Sequence, residues 1–84
     1  MPFKLLILRR AQKELSELPG DEYQRVKLAI YKLGDNPFPR GSKKLKGREG
    51  WRIRVGNYRV VYEIDSVDNI VTILHTGHRR DVYK

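Results

Sequence analysis

Arg52, Arg54 and Arg59 flank a Gly56-Asn57 pair in the stretch Trp51-Arg52-Ile53-Arg54-Val55-Gly56-Asn57-Tyr58-Arg59-Val60-Val61-Tyr62. With Gly56-Asn57 as a two-residue hairpin turn, Val55 opposes Tyr58, Arg54 opposes Arg59, Ile53 opposes Val60, Arg52 opposes Val61 and Trp51 opposes Tyr62. One face then holds Trp51, Ile53, Val55, Tyr58, Val60, Tyr62 and Ile64; the other holds Arg52, Arg54, Arg59, Val61 and Glu63. Like charges directly opposed in a sheet destabilise it by roughly 0.2–1 kcal/mol, so the Arg54 and Arg59 pairing works against the fold. A guanidinium is a planar fork of donors matched to phosphate, and several together hold one phosphodiester while favouring a transition state with added negative charge. The plainer alternative is a wet strand face that carries charge for solvation, with Glu63 offsetting part of it.

A second group closes the chain: His78-Arg79-Arg80-Asp81-Val82-Tyr83, joined through Gly77 to an apolar run. An imidazole exchanges protons readily near neutral pH, which makes His78 the candidate proton carrier. Tyr83 is suited to stacking on a base, or to proton exchange beside enough cations. Arg79, Arg80 and Asp81 could equally form a self-paired turn. His75 falls inside the apolar run and reads as packed or hydrogen-bonded. Lys43, Lys44, Lys46 and Arg48 read as a patch that tracks a phosphate backbone and, with Arg80, would bind RNA without reading its sequence. Trp51 and Tyr62, on the apolar face, read as core.

Composition narrows the alternatives. The 84 residues carry a net charge of +8, and residues 40–84 hold 11 of the 18 basic side chains but only 5 of the 10 acidic ones, so the C-terminal half suits a polyanion. There is no cysteine, which excludes disulfides and thiolate zinc sites, and two histidines give no metal-ligand spacing. No metal or other cofactor is expected. No apolar run approaches the 18 or so residues of a membrane span, and Leu5 to Leu8 is too short for a signal segment, so a cytoplasmic protein without membrane contact is expected. Walker, GxGxxG, HExxH and nucleophile-elbow patterns are missing. What is left is phosphate chemistry run by arginine, histidine and tyrosine, or phosphate binding alone.

The elements that must position these groups are legible in the periodicity. Phe3 to Leu8 reads as a strand, and Ala11, Leu15 and Leu18 repeat with helical spacing. Pro19-Gly20 punctuates; Asp21 with Gln24 has the form of a capping box opening a second helix with the stripe Tyr23, Val26, Ile30 and Leu33, and Gly34 follows as its C′ residue. Residues 35–50, rich in proline, glycine and basic side chains, read as a surface loop. The hairpin follows, then a third β-branched run, Ile70 to Thr76. The expected fold is α+β over a single domain, 1–84: two N-terminal helices packed on a small, twisted, mainly antiparallel four-stranded sheet, in the order β-α-α-β-β-β.

The strand-helix-helix opening with Ala11 and Leu15, the stretch from Trp51 to Tyr62, and the ending Gly77-His78-Arg79-Arg80-Asp81-Val82-Tyr83 together resemble the RelE/ParE superfamily of type II toxins over nearly the whole chain. The resemblance implies a toxin paired with an antitoxin. RelE-like members enter the ribosomal A site and cut mRNA, without a metal, by attack of a ribose 2′-OH on the adjacent phosphate. Carried over by position, the catalytic residues are Arg52 and Arg54 in the first hairpin strand, Arg59 in the second, Arg79 after the last strand, and Tyr83. The best-known RelE pattern has lysines at the first two positions. Arginine keeps the charge but is a poor base, and His78, which resembles the histidine of other ribosome-dependent nucleases in the superfamily, becomes the candidate for proton transfer. The implied partners are a cognate antitoxin with an acidic toxin-binding segment, the ribosome with mRNA in its A site, and operator DNA only through the antitoxin complex. A ParE-like inhibitor of DNA gyrase and a noncatalytic nucleic-acid-binding module are the alternatives.

Overall fold

A computed structural model describes residues 3–78. The elements are β1 (Lys4–Ile7), α1 (Arg9–Ser16), α2 (Gly20–Asp35), β2 (Lys43–Lys44), β3 (Trp51–Val55), β4 (Tyr58–Asp65) and β5 (Ile70–His78). They form one sheet in the order β1-β5-β4-β3-β2, in which β1 runs parallel to β5 and every other pair is antiparallel. The α+β class and the two helices on one sheet agree with the sequence reading. The sheet has five strands, not four, because Lys43 and Lys44 pair with Arg52 and Trp51 inside the stretch read as loop. Main-chain pairing at a sheet edge needs no apolar alternation, so periodicity could not reveal it.

The core lies between the helices and one face of the sheet. Ala11 and Leu15 of α1, with Val26, Ile30 and Leu33 of α2, pack on Ile53, Val60, Tyr62, Val71 and Ile73. These are the positions that helical and two-residue periods select. Local signals at the helix ends read differently in space. α2 begins at Gly20 behind Pro19, with no side-chain cap, so the Asp21 and Gln24 capping box does not form; Asp21 and Glu22 instead complement the helix dipole from its first turn. Gly34 does not end the helix, which continues through Asp35 to a C-cap at Asn36. The Phe3 N–H donates to the Gly34 carbonyl, and a Cβ on Gly34 would stand 3.4 Å from the Phe3 carbonyl oxygen. A Cβ would fit there in ordinary van der Waals contact, so neither helix termination nor this approach requires glycine.

Tyr62 ties the loop after α2 to the core. Its ring is fully buried, and its hydroxyl donates to the Pro37 carbonyl at 2.8 Å. Phe38 meets Trp51 edge to face at 5.1 Å between centroids. Burial pushes the Tyr62 phenol up from 10.0 to about 12, with a hydrogen bond to Ser42 opposing.

Tyr62→Phe is expected to keep the fold but lose about 1–2 kcal/mol in urea unfolding at neutral pH, since the Pro37 carbonyl loses a buried donor. The raised pKa means that the protonated phenol favours the folded chain; this contribution is whole below pH 10 and disappears as pH rises toward about 12. The stability gap between wild type and variant should therefore close across that window, as measured by unfolding at stepped pH.

Candidate functional site: an arginine face on the open side of the sheet

The hairpin register is the expected one: Trp51↔Tyr62, Arg52↔Val61, Ile53↔Val60, Arg54↔Arg59 and Val55↔Tyr58. Burial of Ile53, Val60 and Tyr62 enforces it, because a one-residue slip would turn that row to solvent. The arginines are thereby turned away from the helices. Arg54 is exposed, Arg52 and Arg59 are half-buried, and on the β5 side Arg59 stands opposite Gly77. Arg59 thus stands between Arg54 on one side and the side-chain-free backbone of Gly77 on the other.

Two adjoining hollows are lined by basic side chains. Lys43, Lys44, Leu45, Lys46, Arg48 and Arg52 surround a hollow of about 400 Å³, and Arg40, Gly41, Lys43, Arg52, Ile53 and Arg54 surround one of about 250 Å³. Arg52 and Lys43 belong to both, as their pairing across β2 and β3 requires. Lys43, Lys44, Lys46 and Arg48 are therefore contiguous with the arginine face. Arg40 completes the second hollow and was not singled out by its sequence; only the return of the chain at Gly41, where Arg52 Nη1 makes a long 3.5 Å hydrogen bond to the carbonyl, brings it in. Among the described residues, no carboxylate lines either hollow. Glu63, which the alternative reading of a solvated face has offsetting the arginines, borders a separate hollow with Lys44 and Glu49.

The outer face is not uniformly wet. Val61 is 2% exposed beneath Leu45, with Leu74 beside it. Leu45 reaches that position because the loop closes at Gly50, whose carbonyl accepts the Leu45 N–H at 3.0 Å and whose φ of +123° excludes a Cβ. This small apolar lid anchors the lysine loop beside the arginines.

His78 does not join them. β5 extends to His78 instead of ending at Thr76, and alternation sends Gly77 to the arginine face but His78 to the helix side, opposite Tyr58. The His78 and Tyr58 rings meet edge to face at 6.0 Å. Both line a hollow of about 380 Å³ with Arg10, Glu14, Glu17 and His75. His75 is packed as expected, its Nδ1 3.6 Å from Glu14 Oε2. Arg79, Arg80 and Tyr83 lie outside the described residues. Among the described residues, no three His, Cys, Asp or Glu side chains gather as a metal site would need, and no helix is long and apolar enough to cross a membrane.

What the arginine face can do is bind and polarise a phosphate. Arg54 is expected to be dispensable to stability: Arg54→Thr should melt at or above the wild-type temperature, because it relieves the repulsion with Arg59. For a single-stranded RNA oligonucleotide, the slope of log affinity against log salt should fall in magnitude by about 0.7 to 1 in that variant. A lower melting temperature with an unchanged slope would mark Arg54 as structural.

Residues 5–83 match the family described as the ParE toxin of type II toxin-antitoxin system, parDE. Toxin RelE3 of Methanocaldococcus jannaschii is 34% identical over 95% of this chain and 94% of its own length. The RelE of the archaeal RelE-RelB complex from Pyrococcus horikoshii superposes with a TM-score of 0.83 at 30% identity, covering 98% of this chain and all of that one. The RelBE2 toxin-antitoxin complex from Mycobacterium tuberculosis gives 0.78 at 31% identity, over 94% of this chain and 100% of the matched one.

Proposed function

Because this chain belongs to the ParE toxin family, and so to the RelE/ParE superfamily of type II toxin-antitoxin systems, we propose that it is a ribosome-dependent endonuclease that cuts mRNA in the A site. The supporting observation is the opposed pair Arg54↔Arg59, joined by Arg52 on the open face and bordered by lysines. In the reaction, the ribose 2′-oxygen forms a bond to phosphorus, the bond to the 5′-oxygen of the next nucleotide breaks, and the proton lost from the 2′-OH is balanced by one gained at the leaving oxygen. The products are a 2′,3′-cyclic phosphate, or its opened form, and a 5′-hydroxyl.

Arg54 and Arg59 grip the scissile phosphate and stabilise the added charge of the pentavalent transition state, with Arg52 beside them. Arg79 adds a further phosphate contact and Tyr83 stacks on the nucleotide being cut. Lys43, Lys44, Lys46, Arg48 and Arg80 track the RNA backbone. Arginines are poor bases at neutral pH, and the His78 ring faces the helices, so the patch supplies positioning and charge, not proton transfer. That division suits a substrate whose reactive geometry is imposed by the ribosome.

The proposed regulator is a cognate antitoxin, as RelB is for the toxins in the solved complexes. A chain of net charge +8 favours an acidic toxin-binding segment, and operator DNA would be engaged only through that complex. The ParE name of the matched family favours one other reading, inhibition of DNA gyrase without cleavage.

Primer extension on a defined mRNA, with and without programmed ribosomes, beside a gyrase supercoiling assay, tests these readings. Cuts within A-site codons only when ribosomes are present are expected. Arg59→Ala should lower cleavage at least about 100-fold with an unchanged melting temperature. Intact mRNA with blocked supercoiling would replace the nuclease with a gyrase poison; both assays unaffected would leave a nucleic-acid-binding module.

A further inference from the structure

β1 covers the outer edge of β5 only from Lys4↔Ile70 to Ile7↔Ile73. The Leu8 N–H then donates to the Ile73 carbonyl at 3.1 Å, and the chain leaves the sheet into α1. Among the described residues, β5 continues to His78 without a strand on that side, and the register with β4 shifts by one residue between Val61↔His75 and Tyr62↔Ile73, leaving Leu74 as a bulge. An uncovered donor here is costly because Thr76 is only 1% exposed.

A single carboxylate replaces the missing strand. Glu14 Oε1 accepts the Thr76 N–H at 3.0 Å, and the Thr76 hydroxyl donates to the Ala11 carbonyl at 3.4 Å. The other oxygen, Oε2, lies 3.5 Å from Arg10 Nε and 3.6 Å from His75 Nδ1. Glu14 is thus tied to its own helix, to the bulge and to the strand beyond it, and a charge-assisted hydrogen bond to backbone is about twice as strong as a neutral one. The residue after Thr76 is Gly77, the direct neighbour of Arg59.

We propose that Glu14 is a positioning residue for the cleavage reaction: from the helix side of the sheet, its carboxylate latches the end of β5 so that Gly77 stays in register with Arg59 and holds that side of the arginine face in place. The inference rests on the nuclease reading above. Glu14 touches no reacting group; it acts through Thr76 and Gly77.

Two readouts separate the latch from that reading. In the ribosome-dependent cleavage assay, Glu14→Ala should lower kcat about tenfold or more with KM within about twofold, because misplaced groups lose transition-state contacts more than binding. Glu14→Gln, which keeps an oxygen acceptor for the Thr76 N–H, should recover most of the loss. Amide hydrogen exchange by NMR, which needs no substrate, should show exchange at Thr76, Gly77 and His78 at least about tenfold faster in Glu14→Ala, with the β3 and β4 amides unchanged. Should the alanine variant not fold, Glu14→Asp, which keeps the charge but withdraws it by one methylene, is expected to give the same kcat loss and the same local exchange. Faster exchange throughout the sheet, no rescue by glutamine, or wild-type kcat despite a loosened strand end would overturn the proposal. A wild-type protein inert toward mRNA would sink the nuclease reading, and the exchange data would then decide the latch by themselves.

Discussion

Two helices cover one face of this sheet, and among the described residues no helix covers the other. The constraint follows from size: a chain of 84 residues buries only about 60% of the surface it exposes when unfolded. The main core is drawn to the side of α1 and α2, where Val26, Ile30 and Leu33 meet Val60, Tyr62 and Ile73. Because strand side chains alternate strictly, filling that face assigns all intervening residues to the opposite one. Arg52, Arg54 and Arg59 share a surface as a consequence of core packing, without any attractive interaction among themselves.

The same constraint explains where the fold tolerates a cost. Arg54 opposite Arg59 is a repulsive pair in a hairpin that core burial holds in register. Stability is supplied on one face and spent on the other. The lid formed by Leu45 over Val61, with Leu74 beside it, is an apolar contact added to the open face, and it brings the basic loop against Arg52. Tyr62 couples the two sides: its ring belongs to the core and its hydroxyl holds Pro37, at the root of that loop.

The end of β5 shows how a short parallel strand limits a small sheet. A parallel neighbour must reach its position by a crossover, and β1 turns into α1 after Ile7. The donor left over is satisfied from a helix side chain, so the relative placement of α1 and β5 is set by one carboxylate as well as by the packing of Ala11. The edge beside the arginine face is therefore held from behind, through Thr76, by Glu14 with its neighbours Arg10 and His75.

The hairpin was legible residue by residue, since a two-residue period over a defined turn leaves one register that buries Ile53, Val60 and Tyr62. Helical stripes identified the buried faces of α1 and α2 for the same reason. Local punctuation was less reliable: Asp21 with Gln24 looked like a cap and Gly34 like a stop, yet the helix boundaries follow Pro19 and Asn36, and Gly34 lies within the last turn of α2. The strand at Lys43–Lys44, the entry of Arg40 into the basic hollow and the capture of Thr76 by Glu14 depend on residues far apart in the chain, and no local pattern encodes them. His78 illustrates the division most clearly. Its residue type and place in the chain suggested proton chemistry beside the arginines, but side-chain direction is a property of the paired strand. What the sequence by itself determined is which residues share a face within one element, because local periodicity settles that; which elements meet, and on which side of the sheet His78 falls, was decided only when β5 paired with β4 across a bulge.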